Sequence, residues 1–339
     1  MFNLSSTKNL AIDLGNNNTL LTDQSSLLLS QPSFMVVNEL NNKVEAVGDQ
    51  AYDMLEKTHS NLKPIKPLKG GVISDGESAK RMLKELVAKV QKPSIFASGF
   101  NYLMSGVPYD TTPVEKRALR DALDQFSSRN TFLVHEPLAA ALGMGLNIQE
   151  PEGKLVVDIG GGITEVVVIS LSGIAAFQSI RVAGDTLDEE IQDYFRRTYN
   201  LSIGLKTAEN LKKRIGCIYS AVADKKEIAS VKGKDLMEGI PTSRAISQAE
   251  LTTVLEKPFK QIEECIRQSL EICPPELASD IYRSGIHVTG GNAQLKGIQE
   301  RLSKTFQLPV HIDPQSLFSV SKGIGCILNE PQKYKSVLI

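Results

Sequence analysis

Two stretches of the chain share one pattern. Asn9-Leu-Ala-Ile-Asp-Leu-Gly15 and Lys154-Leu-Val-Val-Asp-Ile-Gly160 are apolar runs that each end in an aspartate and a glycine. A short apolar run stopped by Asp and Gly reads as a buried strand entering a tight turn. After each turn a β-type run returns, as Thr19-Leu-Leu-Thr22 and Thr164-Glu-Val-Val-Val-Ile169. Each copy is expected to be a β-hairpin whose loop carries the carboxylate, and two copies predict two related subdomains.

Helical periodicity lies between and after these hairpins. Residues 77–90 place Met82, Leu83, Leu86, Val87 and Val90 along one face. Thr112-Pro113-Val114-Glu115 has a capping threonine, a proline at the first helical position and a glutamate three residues after the cap, which predicts a helix start. Further helices are expected over 187–199, 205–215, 248–272 and 293–305, strands over 132–134 and 286–288, and a β-rich insertion over 226–246. Strands interleaved with helices make the fold class α/β.

The 339 residues suffice for about two domains with a sizeable core. Lys and Arg total 38 against 39 Asp and Glu, so no polyelectrolyte partner is demanded and nucleic acid is not expected. The N-terminus has neither the charged start nor the long apolar stretch of a secretory signal, which places the chain in the cytoplasm. No run of 18 apolar residues is present to form a membrane span. Cys217, Cys265, Cys273 and Cys326 lack C-x-x-C spacing and are read as reduced thiols.

Asp158-Ile-Gly160-Gly161-Gly162 is the most informative stretch. Bare glycines after a buried strand let backbone N–H groups approach an anion, and a neighbouring carboxylate suits Mg²⁺ or its waters. A flexible turn is the plain alternative. Asp13 before Gly15 repeats the arrangement. Thr289-Gly290-Gly291-Asn292 is a third glycine turn, expected to open a helix and to let a base or ribose lie on bare backbone. Glu209 and Lys212 share a helix face, either as ligand contacts or as an exposed ion pair. Glu136 stands between a strand and a helix-starting proline, where it either orients a water or complements a helix N-terminus.

Taken in order, the runs AIDLG, KPLKGGVISD, HEPLAAALGMGL, VVDIGGGITEVVVISL, SIRVAGDTLDEEI, YNLSIGLKTAENLKKRIG and SGIHVTGGNAQLKG resemble the MreB family of bacterial actins, within the ATPase superfamily of actin and the heat-shock chaperones. The resemblance implies an actin-like ATPase fold, two duplicated lobes with ribonuclease H-like subdomains around a nucleotide cleft. Residues 1–32, 76–145 and 315–339 would form subdomain IA, 33–75 IB, 146–181 and 245–314 IIA, and 182–244 IIB. ATP and Mg²⁺ are the implied cofactors. Asp13 and Asp158 would hold the metal through water; Gly15, Asn16, Asn17, Asn18, Gly160, Gly161, Gly162 and Ile163 would surround the phosphates. Gly184, Glu209, Lys212, Gly290, Gly291 and Asn292 would surround the nucleoside, and Glu136 would polarise the hydrolytic water.

The departures from that pattern fall at the nucleotide. Asn16 follows Gly15 where the family has threonine, Ile163 follows the triple glycine where it also has threonine, and Asn292 stands where a third glycine is typical. A hydrocarbon at 163 implies ATP binding with weak hydrolysis. The implied function is a membrane-associated filament that organises cell shape and wall elongation, its partners being further copies of itself, another MreB-type actin and the cell elongation machinery. The alternative is a non-hydrolysing paralogue that co-assembles with another filament. Phe2, Leu4, Ile95 and Phe96 are the candidate contacts with the inner face of the membrane. A heat-shock chaperone would need a substrate domain that the chain leaves no room for.

Overall fold

The computed structural model describes residues 9–24, 26–91 and 99–339. The membrane candidates Phe2, Leu4, Ile95 and Phe96 lie outside them. The chain divides into two units, Met1–Pro151 with Ile169–Gly173 and Leu317–Ile339, and Glu152–Val168 with Ile174–Ser316.

In the first unit β1 (Asn9–Leu14) and β2 (Asn18–Thr22) form the expected hairpin, antiparallel with Leu14 opposite Thr19. β3 (Leu27–Pro32) extends it. An inserted sheet of β4 (Met35–Asn38), β5 (Lys43–Val47) and β6 (Leu62–Ile65), with α1 (Asp49–Met54), precedes a short ribbon of β7 (Leu68–Lys69) and β8 (Val72–Ile73). After α2 (Gly76–Val90) come β9 (Phe100–Val107), α3 (Pro113–Leu123), β10 (Ser128–His135) and α4 (Glu136–Gly143). β9 runs parallel to both β1 and β10, so the main sheet has the order β10-β9-β1-β2-β3. Leu10, Ile12 and Leu14 of β1 pack with Met82, Leu83, Leu86 and Val87 of α2 and with Leu103 and Val107 of β9. The α3 start carries the anticipated capping box: Thr112 Oγ1 accepts from Glu115 N at 3.3 Å while Thr112 N donates to Glu115 Oε2 at 2.8 Å.

Helix α4 crosses the helix Ser319–Asn329 at backbone contact. A Cβ on Gly143 would lie 1.8 Å from Ser319 O, and one on Gly323 would lie 1.7 Å from Ala139 O. Glycine at both positions is the condition for that approach.

The second unit repeats the scheme. β11 (Lys154–Ile159), β12 (Thr164–Ser170) and β13 (Gly173–Ile180) lead into α5 (Gly184–Tyr199), β14 (Leu201–Ser202) and α6 (Leu205–Ile215). The hairpin β15 (Ile228–Asp235) and β16 (Pro241–Ser247) joins β14 in a small sheet. Then come α7 (Gln248–Glu271), α8 (Pro275–Ser284), β17 (Ile286–Thr289), α9 (Ile298–Phe306) and β18 (Val310–Ile312). The main sheet has the order β13-β12-β11-β17-β18, with β17 parallel to β11 and β18. Reading outward from the hairpin, both units set a three-strand meander beside two parallel strands. Leu155, Val157 and Ile159 pack with Leu187, Ile191 and Phe195 of α5 and with Leu255 and Phe259 of α7.

The structure changes one expected element. Residues 293–305 do not form a single helix: a four-residue 3-10 turn, Gly291–Gln294, is followed by α9 only from Ile298. Gly297 between them has φ +88°, which an α-helix cannot pass through, and a Cβ there would lie 2.9 Å from Tyr219 Cβ. The four cysteines are free, three buried and Cys326 exposed. Among the described residues no helix is long and apolar enough to cross a membrane.

Candidate functional site

The turn of the first hairpin is closed by Gly15 N donating to Asn18 O at 3.0 Å. A Cβ on Gly15 would lie 2.7 Å from that oxygen. Its other groups are held from further along the unit. Ser33 Oγ donates to Gly15 O at 2.6 Å and Ser33 N donates to Asn17 O at 2.9 Å. Lys66 Nζ donates to Asn17 Oδ1 at 2.6 Å, and Gly71 N donates to Asn16 Oδ1 at 3.3 Å. Asp13 is buried at the end of β1. Ser33 is a participant with no signal of its own in the sequence, and Lys66 and Gly71, in the run KPLKGGVISD, reach this turn only in the folded unit.

Glu136 begins α4 and shares a pocket wall with Leu14, Gly106, Val107, Pro108 and Thr111. His135 before it meets Tyr109 edge-on at 4.7 Å, and burial lowers its pKa to about 4. A neutral imidazole adds no charge at the start of α4.

In the second unit Gly160 N donates to Ile163 O at 3.1 Å, closing the glycine turn. The start of α5 lies directly on this turn, with Gly184 N donating to Gly160 O at 3.1 Å and Asp185 N to Gly161 O at 2.8 Å. Asn292 Nδ2 adds a second hydrogen bond to Gly160 O at 2.6 Å. Gly290 has φ +88°, and a Cβ there would fall 2.4 Å from both Asp158 Oδ1 and Ile159 O. Burial pushes the Asp158 carboxyl up to about 6. A cation brought to this carboxylate would offset that cost, so the residue fits a metal-associated role.

Ile163 is 8% exposed and supplies no hydroxyl. Thr164 does not replace it, because its Oγ1 donates to Val182 O at 2.7 Å. Lys212 is not on an exposed face beside Glu209: it is 4% exposed, pairs with Asp188 at 2.9 Å and donates to Gly184 O at 2.8 Å. Glu209 pairs instead with Lys213 one helical turn on, at 2.7 Å. Asp188, absent from the sequence candidates, is pushed up to about 7 by burial, with Lys212 pulling the other way. The structure thus brings Gly160, Gly161, Gly184, Lys212 and Asn292 into one hydrogen-bonded cluster. It sets Gly290 against Asp158, and it does not join Glu209 to Lys212.

Residues 7–336 match the MreB/Mbl protein family. The chain belongs to the MreB/Mbl family. It is 38% identical over 321 residues to the cell shape-determining protein MreB of Escherichia coli K12, covering 93% of this chain and 92% of that one. It is 34% identical to the cell shape-determining protein Mbl of Bacillus subtilis 168, covering 96% and 97%. The fold superposes on MreB5 of Spiroplasma citri bound to AMPPNP with TM-score 0.90 at 35% identity, over 96% of this chain and 97% of that one. An actin-like MreB/Mbl architecture therefore explains why two units repeat one hairpin scheme.

Proposed function

We propose that this member of the MreB/Mbl family binds ATP and assembles into filaments that organise cell shape and wall elongation. The observation that carries the reading is the repeated Asp-Gly hairpin, one in each unit, in a chain superposable on a relative that holds AMPPNP. Each hairpin presents backbone N–H groups and a buried or part-buried carboxylate where triphosphate and its ion can be received. Asp13 and Asp158 would hold Mg²⁺ through its waters, and when bound the ion would neutralise phosphate charge. Glu136 orients the attacking water, and Ile163 leaves that water without a hydroxyl partner, so turnover is weak.

The protein works in the cytoplasm against the inner membrane face, with Phe2, Leu4, Ile95 and Phe96 as the apolar contacts; filament avidity sums their small individual contributions. Electron microscopy and sedimentation of the purified chain test the reading. Filaments are expected with ATP or a non-hydrolysable analogue, and they are expected to pellet with lipid vesicles unless Phe2 and Phe96 are both serine. A chain that binds no nucleotide and never assembles would end it.

A further inference from the structure

We propose that Asn292 is a positioning residue that sets the second glycine hairpin in its ligand-ready form before any nucleotide arrives. The proposal rests on the nucleotide reading above and adds a role for a side chain that the sequence placed only among nucleoside contacts.

The argument starts from the Gly160 carbonyl. A carbonyl oxygen can accept two hydrogen bonds, and this one receives Gly184 N at 3.1 Å and Asn292 Nδ2 at 2.6 Å. Gly184 is in turn held through its own carbonyl, in the next peptide group, which accepts from Lys212 Nζ at 2.8 Å. Four segments therefore close on Gly160 and Gly184: the glycine turn, the start of α5, α6 and the 3-10 turn Gly291–Gln294. Asn292 is 8% exposed, so water competes little for its amide. Its size is matched to its neighbour, since a Cβ on Gly184 would lie 2.5 Å from Asn292 Nδ2.

Three glycines in a row have more backbone freedom to lose than any other tripeptide. A ligand that had to order them would be held less tightly by that cost, and a side chain that orders them in advance removes it from the binding step. Glycine at 292 has no donor for this purpose. The amide thus acts through the hairpin and not by touching phosphate, and its effect is expected mainly in how slowly nucleotide leaves.

The full chain, loaded with a fluorescent N-methylanthraniloyl-ATP and Mg²⁺ and chased with excess ATP in a stopped-flow instrument, tests this. Asn292→Gly removes the side chain; Asn292→Asp keeps its size but, ionised, cannot donate. Both are expected to release nucleotide about three- to tenfold faster than the parent, the effect of one ordinary hydrogen bond. Both are also expected to raise hydrogen exchange of the 159–164 segment in the nucleotide-free chain, with far-ultraviolet circular dichroism unchanged. Release from Asn292→Asp at the parental rate would show that the amide only fills space and would overturn the proposal, as would parental exchange and release in Asn292→Gly. A parental chain that binds no labelled nucleotide overturns the nucleotide reading itself, which is a separate result.

Discussion

In the first hairpin the turn after Asp13 is held by side chains: the Ser33 hydroxyl on Gly15, the Lys66 ammonium on Asn17, and the Asn16 amide oxygen on Gly71 N. In the second, the turn after Asp158 is bare glycine, and its carbonyls are met by the backbone of α5 and one buried amide. Strand pairing and sheet order are alike in the two units. The means of holding the turn differ, and so does the tolerance to change. The part-exposed Lys66 contact to Asn17 has water as a substitute partner; the Lys212–Asp188 pair, 4% and 5% exposed, does not.

The largest break in this comparison is expected at Lys212. Lys212→Met would leave the Asp188 carboxyl buried without its cation, at about 3–5 kcal/mol in urea denaturation. The loss carries a pH signature. Burial pushes the Asp188 carboxyl up to about 7 from an ordinary carboxylate value of 3.8, so the folded state holds its proton longer than the unfolded chain does. Its contribution to stability is present at low pH and lost as pH rises through 7, and removing Lys212 pushes the carboxyl further up. The deficit of Lys212→Met should therefore be larger at pH 8 than at pH 6; an equal deficit would break the assignment.

Next in size is Ile163→Thr. A hydroxyl restored beside the glycine turn should recover about 2.7–4 kcal/mol of transition-state stabilisation, two to three orders of magnitude in phosphate release. Phosphate release that is already fast in the parent chain, and no faster in the variant, would end the idea that Ile163 weakens hydrolysis. The smallest effect is expected in the first hairpin. Lys66→Met removes one part-exposed hydrogen bond to Asn17 and should cost about 0.5–1.5 kcal/mol by the same denaturation measurement. A loss at Lys66 matching that at Lys212 would erase the contrast between the two turns.

Much of the frame was legible because it rests on local patterns. Both hairpins follow from an apolar run stopped by Asp and Gly, α6 has the expected bounds of 205–215, and the Thr112 cap is where its four-residue signature put it. Strands such as Leu27–Pro32 were not foreseen, since their half-exposed residues show no sustained apolar run. The bonds among the candidate residues were not legible in the sequence. Glu209 and Lys212 look like partners at helical spacing, yet α6 turns Lys212 inward to an aspartate on α5 that lies far off in sequence. Ser33 and Lys66 reach the first turn only through tertiary folding, which no local pattern encodes.

The glycine crossing of α4 with the helix Ser319–Asn329 bears on Glu136. That carboxylate is the first residue of α4, and the far end of the same two-turn helix is seated on Ser319 O with no room for a methyl group. A short rod fixed at one end transmits any displacement to the other. Two missing methyl groups, at Gly143 and Gly323, thus work as the gauge that sets where the Glu136 carboxylate stands, and adding either would shift Glu136 without touching it.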